Sequence, residues 1–225
     1  MSDIVVRDLI KVYKMGKVEV IALRGLDATF AAGKVTWICG PSGCGKTTLL
    51  NLVGGLDRPT AGSIEVNEVN LPHLSDGELV AYRRDKVGFV FQFFNLVPVL
   101  TASENVELPM RLAGTPAKER ARRAAELLEA VGVAKKAGQT PDELSGGEQQ
   151  RVAIAVALAN DPSIILADEP TGELDSENAA VVLGLLGVAS RERGKTVLLV
   201  SHDPQAARIA DTAIDMADGR FMAAK

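Results

Sequence analysis

VTWICGPSGCGKTT, residues 35–48, is the stretch that says most about the architecture of this protein. Its first five residues form a short apolar run typical of a buried strand, and the rest matches the pattern G-x-x-x-x-G-K-[ST] from Gly40 to Thr47. The stretch from Lys46 onward, KTTLLNLVGGL, predicts a helix that ends at Gly54 and Gly55. A glycine-rich turn between a buried strand and a helix binds phosphate, because its backbone N–H groups and the positive end of the helix dipole face the ligand.

The residue types of this loop suit a nucleotide and its metal ion. Glycines let the backbone turn its N–H groups inward, a lysine reaches the β- and γ-phosphates, and a threonine hydroxyl binds Mg²⁺. The residues predicted to bind nucleotide here are Gly40, Pro41, Ser42, Gly43, Cys44, Gly45, Lys46, Thr47 and Thr48. A glycine-rich turn without a ligand is the alternative, and the flanking strand and helix argue against it.

IILADE, residues 164–169, predicts the other half of this site. It is an aliphatic strand that ends in two carboxylates, and ligands bind at the carboxyl edge of open α/β sheets. Asp168 is predicted to hold Mg²⁺, directly or through water, and Glu169 to polarise the attacking water. Because adjacent strand residues point to opposite sides, we expect different roles for the two carboxylates. An ordinary acidic turn is the alternative.

The order of the predicted elements favours an α/β core. Two β-type segments at the start, IVVRDLIKVY and VEVIALRGLDATF, predict a small antiparallel sheet. Four later runs, SIEV, VGFVF, IILAD and TVLLVS, have the pattern of core strands, and helical stretches separate most of them, which indicates a mostly parallel sheet. Residues 95–143 carry helical periodicity and predict an inserted helical subdomain. ADG, residues 217–219, predicts a turn between two last short strands.

Length, charge and apolar runs exclude several classes of protein. The 225 residues, 47% hydrophobic, suffice for one domain with a buried core. The longest apolar run, Val152–Ala159, is far shorter than the ~20 residues that cross a bilayer, and MSDIVVRDL carries charges where a signal peptide is apolar. A net charge of −4 argues against nucleic-acid binding. Cys39 and Cys44 match no metal or disulfide pattern. We therefore expect a soluble cytoplasmic protein that neither inserts into membranes nor binds nucleic acid.

Five motifs together resemble the ATP-binding-cassette ATPases: GPSGCGKTT, FVFQ, LSGGEQQR, IILADEPTGELD and VSHD. The resemblance covers essentially the whole chain. It implies a P-loop NTPase core with a mostly parallel sheet, an N-terminal antiparallel β-subdomain and a helical subdomain at about residues 95–160, all within one nucleotide-binding domain, residues 1–225. Finer features, such as GKVEVIALRGL and VGFVFQFFNLVPVLTASENVELPM, are similar to the ATPase subunits of bacterial exporters of the lipoprotein-release and macrolide-efflux group.

The resemblance also implies roles for residues outside the phosphate loop, residues 40–48, and the carboxylate strand, residues 164–169. Tyr13 is expected to stack on adenine, and Gln92 to reach Mg²⁺ and the attacking water. His202 is expected to contact the γ-phosphate. The implied catalytic set is Lys46, Gln92, Glu169 and His202. Asp175 is expected at a subunit boundary, where it couples two sites. A half-buried strand tyrosine and a polar residue at a strand end are the alternatives for Tyr13 and Gln92.

LSGGE, residues 144–148, is a second candidate anion site, formed by Leu144, Ser145, Gly146, Gly147 and Glu148. The stretch also satisfies the S-x-x-E capping box, so a plain capped helix is the alternative. Glycines inside a helix cost roughly 1 kcal/mol each, which favours close backbone approach to a ligand. The family architecture implies that two chains meet head to tail, with each LSGG facing the γ-phosphate on the other chain's Lys46. Most relatives carry glutamine in place of Glu148, so we expect its carboxylate to bend back into the capping box.

The implied function is ATP hydrolysis, with ATP and Mg²⁺ as ligands, which closes and reopens a homodimer and powers a separate permease with a large extracytoplasmic domain. The ATPase would lie peripherally on the cytoplasmic face of the membrane through that permease. An ATP-gated scaffold of the cell-division type, which signals through a membrane partner without transport, is the alternative. Lipoprotein, drug, peptide and haem exporters have ATPases of the same type, so the cargo stays open.

Overall fold

The computed structural model describes residues 3–16 and 18–222, so the outermost residues of the predicted domain, 1–2 and 223–225, lie outside the described part. The strands are β1 (Ile4–Met15), β2 (Val18–Phe30), β3 (Val35–Cys39), β4 (Ala61–Val66), β5 (Val69–Asn70), β6 (Val87–Phe91), β7 (Ile164–Asp168), β8 (Thr196–Val200), β9 (Thr212–Ala217) and β10 (Arg220–Phe221). The helices are α1 (Lys46–Val53), α2 (Asp76–Lys86), α3 (Ala102–Leu112), α4 (Ala117–Ala130), α5 (Gly146–Ala157) and α6 (Ser176–Arg193). Short 3₁₀ turns lie at Leu71–His73, Ala134–Lys136, Pro141–Glu143 and Pro204–Arg208.

A six-stranded sheet in the order β10-β9-β3-β8-β7-β6 forms the centre of the molecule. All neighbouring pairs from β9 to β6 are parallel, and only the short β10 runs antiparallel to β9. The prediction of an α/β core with a mostly parallel sheet is therefore confirmed. Since β3, β8, β7 and β6 are adjacent and parallel, the loops that follow them meet at one edge, where open α/β sheets bind ligands.

A second sheet, in the order β2-β1-β4-β5, is antiparallel and includes the SIEV segment in β4. The expectation that SIEV is a strand of the parallel core was wrong. The reason is visible in its side chains: Ile64 and Val66 are buried, whereas Ser63 and Glu65, which alternate with them, are half-exposed. A strand with one buried and one solvated face suits an antiparallel sheet, while strands of a parallel sheet are covered on both faces.

The parallel sheet is covered on both faces, and successive side chains of its strands point alternately into two apolar layers. Ile164 and Leu166 of β7 pack in the layer that contains α1 and the antiparallel sheet. Ile165 and Ala167, between them, pack in the layer that contains helices α3 to α6. Because side chains alternate in this way, one sheet packs against both layers. Each fully buried aliphatic side chain contributes roughly 1.5–3 kcal/mol to the stability of the fold.

The helical region predicted after residue 95 contains α3, α4 and α5, which pack on one another. Capping boxes begin two of these helices: Thr101 pairs with Glu104 at the start of α3, and Ser145 pairs with Glu148 at the start of α5. Within residues 3–16 and 18–222, no helix combines the length and apolarity needed to span a membrane.

Candidate active site

The loop between β3 and α1 wraps around the side chain of Lys46. Gly40 and Gly45 have positive φ angles, 146° and 106°, and a Cβ at either position would lie within 2.6 Å of a backbone oxygen of another segment. Only glycine fits there. Lys46 is buried, and its Nζ donates hydrogen bonds to the carbonyl oxygens of Gly40, at 2.8 Å, and Pro41, at 2.9 Å. The loop thus surrounds the ammonium group of Lys46 with its own backbone carbonyls.

A cavity of about 310 Å³ opens beside this loop. Its lining combines the phosphate-loop residues with the two carboxylates after β7 and with apolar residues of β2 and β8. The lining residues are Val20, Ile21, Ala22, Ser42, Gly43, Gly45, Lys46, Thr47, Thr48, Asp168, Glu169 and Val200. The structure therefore brings together the two halves of the site that the sequence predicted separately.

Asp168 has the surroundings expected of a metal-binding carboxylate. Its Oδ1 is buried and, among the described residues, has no hydrogen-bond partner. Burial raises the pKa of Asp168 above its ordinary value; a hydrogen bond from Thr47 opposes this rise, and the charge of Glu169 adds to it. A divalent cation would bind the free oxygen and compensate the buried negative charge of the Asp168 carboxylate. The donor set of one carboxylate and one hydroxyl fits Mg²⁺, which binds proteins through one or two carboxylates together with phosphates of the substrate.

Glu169 and His202 form a pair at the ends of the neighbouring strands β7 and β8. Oε2 of Glu169 lies 2.8 Å from Nδ1 of His202 and also accepts a hydrogen bond, at 3.3 Å, from the His202 backbone N–H. The backbone of Glu169 adopts a left-handed conformation, with φ of 48°. Such a conformation is unfavourable for a residue with a Cβ and is concentrated at functional sites.

Gln92 follows β6 directly and lies over the turn after Glu169. Its Nε2 donates a hydrogen bond of 2.9 Å to Oε1 of Glu173. A Cβ at Gly172 would lie 3.1–3.2 Å from three atoms of the Gln92 side chain, so the glutamine rests on the bare backbone of that glycine. Phe94 and Asn95, just beyond, have positive φ angles of 60° and 54°. The structure thus places Gln92 next to the segment that carries Glu169, outside the lining of the cavity.

Tyr13 lies on β1 beside the cavity residue Thr48. Its hydroxyl is 3.1 Å from Oδ2 of Asp57, and burial raises the pKa of that hydroxyl. Lys11, whose Nζ donates to Oδ1 of Asp57 at 2.7 Å, lies 4.9 Å from the centre of the Tyr13 ring. The ring is therefore held from two sides, by an acceptor and by a cation over its face.

The LSGGE segment forms the predicted capping box. Ser145 N–H donates to Oε2 of Glu148 at 2.8 Å, and Glu148 N–H donates to the Ser145 hydroxyl at 3.3 Å. The other carboxylate oxygen of Glu148 lies 3.4 Å from Nζ of Lys136. Hydrogen bonding from the Ser145 backbone lowers the pKa of Glu148. The expectation that Glu148 bends back into the capping box is confirmed.

The two glycines of this segment differ in their surroundings. A Cβ at Gly147 would lie 2.2 Å from Oδ1 of Asn178, so a neighbour within the same chain excludes a larger residue there. A Cβ at Gly146 would make only ordinary contacts, 3.7 Å or longer. Both glycines were predicted from the sequence to allow close approach to a ligand, whereas the structure shows a packing reason for Gly147. Asp175 lies nearby as the N-cap of α6, where it accepts a 2.8 Å hydrogen bond from Asn178 N–H.

Comparison with known proteins agrees with this geometry. Residues 23–172 match the family described as "ABC transporter". The chain belongs to this ABC transporter family. It is 46% identical to the lipoprotein-releasing system ATP-binding protein LolD of Bacteroides fragilis, over 89% of this chain and 93% of that protein. It is 45% identical to the macrolide export ATP-binding/permease protein MacB of Rhodopseudomonas palustris, over 99% of this chain and 34% of that protein.

A solved structure resembles this ABC ATPase along nearly its whole length. It is the ATP-binding cassette MJ0796 of Methanocaldococcus jannaschii, in a dimeric post-hydrolysis state bound to ADP and Pi. The TM-score is 0.90 and the sequence identity 44%, with 97% of this chain and 96% of that chain covered. The predicted fold class and the predicted ATP-hydrolysing activity are confirmed.

Several residues that shape the site of this ABC ATPase were not predicted from its sequence. Val20, Ile21, Ala22 and Val200 line the cavity, and their only signal in the sequence is their place on predicted strands. Lys11 and Asp57 hold Tyr13, although 44 residues separate Tyr13 from Asp57. Conversely, none of residues 144–148, all of them described, lines the cavity, and neither does Asp175. The ABC ATPase thus gathers one part of its predicted site and leaves the LSGGE part elsewhere.

Proposed function

We propose that this protein is the ATP-hydrolysing subunit of a bacterial exporter of the lipoprotein-release and macrolide-efflux group. One observation carries the proposal. Lys46, Asp168 and Glu169 line one cavity, yet the LSGGE segment, residues 144–148, contributes nothing to that cavity within the same chain. A phosphate-loop cavity without its signature segment is what a shared, two-chain site requires. The names of the relatives LolD and MacB support the exporter group.

The residues that line the cavity and those that lie beside it divide the work of hydrolysis. Lys46 and the loop N–H groups bind the β- and γ-phosphates, and Tyr13 stacks on adenine. Glu169 takes the proton of the attacking water, held in orientation by His202, which also contacts the γ-phosphate. Thr47, Asp168 and Gln92 would hold Mg²⁺, which when bound would supply positive charge to offset that of the phosphates.

Two copies act head to tail, each closing its LSGGE segment on the nucleotide of the other. The dimeric state of the related cassette MJ0796 supports this arrangement. The capped N-terminus of α5 offers partial positive charge to the partner's γ-phosphate, and Asp175 lies at the boundary between subunits. Cleavage and release of the γ-phosphate remove this attraction, so the closed dimer is favoured only until that phosphate has left.

A separate permease with a large extracytoplasmic domain receives this motion. A cleft of about 560 Å³ runs between α2, β6, α3 and α5, with stacked Phe89 and Phe91 in its lining. On its rim, Val80 is 53% exposed and Leu112 is 75% exposed. Phe91 directly precedes Gln92, so a permease helix seated here contacts the segment that leads to the active site. We assign the whole chain to one nucleotide-binding domain, with residues 95–160 moving as its helical subdomain.

The ATPase would then lie on the cytoplasmic face of the membrane, attached through its permease. Affinity capture from native membranes tests this. The wild-type chain is expected to retain one polytopic permease, and the Leu112→Glu variant to lose it while hydrolysing ATP normally. Val181→Glu, an exposed valine on α6, is the matched control and retains the permease. Capture of cell-division proteins without a transporter would contradict the exporter assignment, as would equal capture by both variants.

A further inference from the structure

One buried side chain holds together the two backbone segments that carry Gln92 and Glu169. Gln150, fully buried on α5, donates from Nε2 to the carbonyl oxygens of Phe91, at 3.1 Å, and Pro170, at 2.7 Å. These carbonyls belong to the residue before Gln92 and the residue after Glu169. The two backbones therefore keep a fixed separation, and the remaining freedom at Gln92 lies in its side chain.

That side chain is held by the turn after Glu169. Gly172 N–H donates to the Glu169 carbonyl oxygen at 3.1 Å, which closes the turn. Gln92 lies across the bare Cα of Gly172, and its amide reaches Glu173, 81 residues away in sequence. A carboxylate only accepts hydrogen bonds, so Glu173 selects the amide nitrogen of Gln92. The amide oxygen, on the opposite side of the planar group, then faces away from Glu173.

We propose that Glu173 is a positioning residue for Gln92: it holds the amide nitrogen and leaves the amide oxygen free to face the metal and the attacking water. This inference rests on the proposed role of Gln92. Of the two ends of the amide only the oxygen offers a lone pair to Mg²⁺, so an amide rotated by 180° presents hydrogen atoms to the cation instead. Glu173 therefore selects the productive one of two orientations that are otherwise nearly equal in shape.

Two substitutions perturb this contact in different ways. Glu173→Gln keeps the size of the side chain but can either donate or accept, so it no longer selects the nitrogen. Gly172→Ala leaves Glu173 intact and moves Gln92, because the new Cβ would lie 3.1–3.2 Å from its side-chain atoms. Those atoms belong to a flexible side chain, so the fold is retained. Glu192→Gln, an exposed glutamate near the end of α6, is the matched control for the change of charge.

The contact is tested first without metal or nucleotide. In ¹⁵N-glutamine-labelled protein, the side-chain amide signals of Gln92, assigned through Gln92→Ala, are expected to shift in Glu173→Gln and Gly172→Ala and to stay in Glu192→Gln. Mn²⁺ binding to protein with a non-hydrolysable ATP analogue is then followed by electron paramagnetic resonance. Both variants are expected to weaken Mn²⁺ binding about two- to tenfold, the effect of one hydrogen bond, and Glu173→Asp to restore part of it.

A double-mutant comparison separates the possible failures. In a Gln92→Ala background, Glu173→Gln is expected to change Mn²⁺ binding no further. An equal effect in both backgrounds, or unchanged Gln92 signals, would overturn the role of Glu173 alone. If Gln92→Ala itself left Mn²⁺ binding unchanged, the proposed role of Gln92 would fail, and that of Glu173 with it.

Discussion

Oε2 of Glu169 lies 2.8 Å from Nδ1 of His202, although 33 residues separate them in the chain. The contact exists because β7 and β8 are parallel neighbours, so the residues that follow them emerge side by side. The Glu169 side chain is only 20% exposed, whereas that of His202 is 75% exposed. The carboxylate is thus sheltered inside the site, and the imidazole holds it from the open side.

Glu169→Gln is expected to lower ATP hydrolysis by about 10²–10⁴-fold, the contribution of a general base. ATP binding is expected to stay, because the amide keeps the shape but cannot take a proton. Phosphate release measures the rate, and equilibrium binding of labelled ATP measures the affinity. Glu192→Gln serves as the control with normal turnover. Normal turnover in Glu169→Gln would rule out Glu169 as the residue that polarises water.

His202→Ala is expected to lower kcat with little change in KM, because Glu169 loses its orientation while the phosphate loop is intact. The combined variant with Glu169→Gln is expected to be little worse than Glu169→Gln alone, since residues that act as a unit are not additive. Steady-state kinetics of the three variants decides this. If the loss of kcat in the double variant equalled the product of the two single losses, His202 would act independently of Glu169.

The two signature glycines are expected to respond differently to alanine. Gly147→Ala forces a Cβ against Asn178 and should cost about 1–3 kcal/mol, the usual range for overpacking. At roughly 2–4 °C per kcal/mol, this lowers Tm measurably in a protein of this size. Gly146→Ala should leave Tm almost unchanged and weaken ATP-dependent dimerisation, which light scattering follows in the Glu169→Gln background. Equal losses of Tm in both variants would contradict the packing reason for Gly147.

Asp168→Asn is expected to raise Tm of the protein without ligand and to abolish the further rise that Mg²⁺ gives with ATP. Because burial raises the pKa of Asp168, its ionised form is penalised in the folded state above that pKa, and the penalty disappears as pH falls below the unfolded value. The gain should therefore be largest near neutral pH and shrink in acid. Relief of about 1 kcal/mol corresponds to roughly 2–4 °C.

Asp211→Asn is the matched control, with the opposite sign. A hydrogen bond from Val35 N–H to Asp211 lowers the pKa of that carboxyl, so the ionised form stabilises the fold above its unfolded pKa. The same substitution should therefore lower Tm at neutral pH. Differential scanning calorimetry from pH 4 to pH 8 measures both variants, and a loss of Tm in Asp168→Asn would contradict the interpretation.

Local patterns predicted much of this fold. The phosphate loop could be assigned from residues 40–47 because its glycines, its lysine and the adjoining strand and helix act over a few residues. The capping box of Glu148 was predictable for the same reason, since its partner is three residues away. The helical region after residue 95 follows from its own periodicity. In each case the interaction that decides the structure lies within one or two turns of the chain.

Tertiary structure alone decided the pairings between distant segments. The SIEV strand could join either sheet by its apolar content, and its place beside β1 depends on a partner some 60 residues earlier. The contacts of Gln92 with Glu173 and of Gly147 with Asn178 arise from the order of the strands and the packing of α5 on α6. The sequence supplies the side chains whose chemistry suits phosphate, metal and water, because that suitability is a property of each residue. Which of them meet was decided by the sheet, because only its parallel neighbours bring the ends of separate strands together.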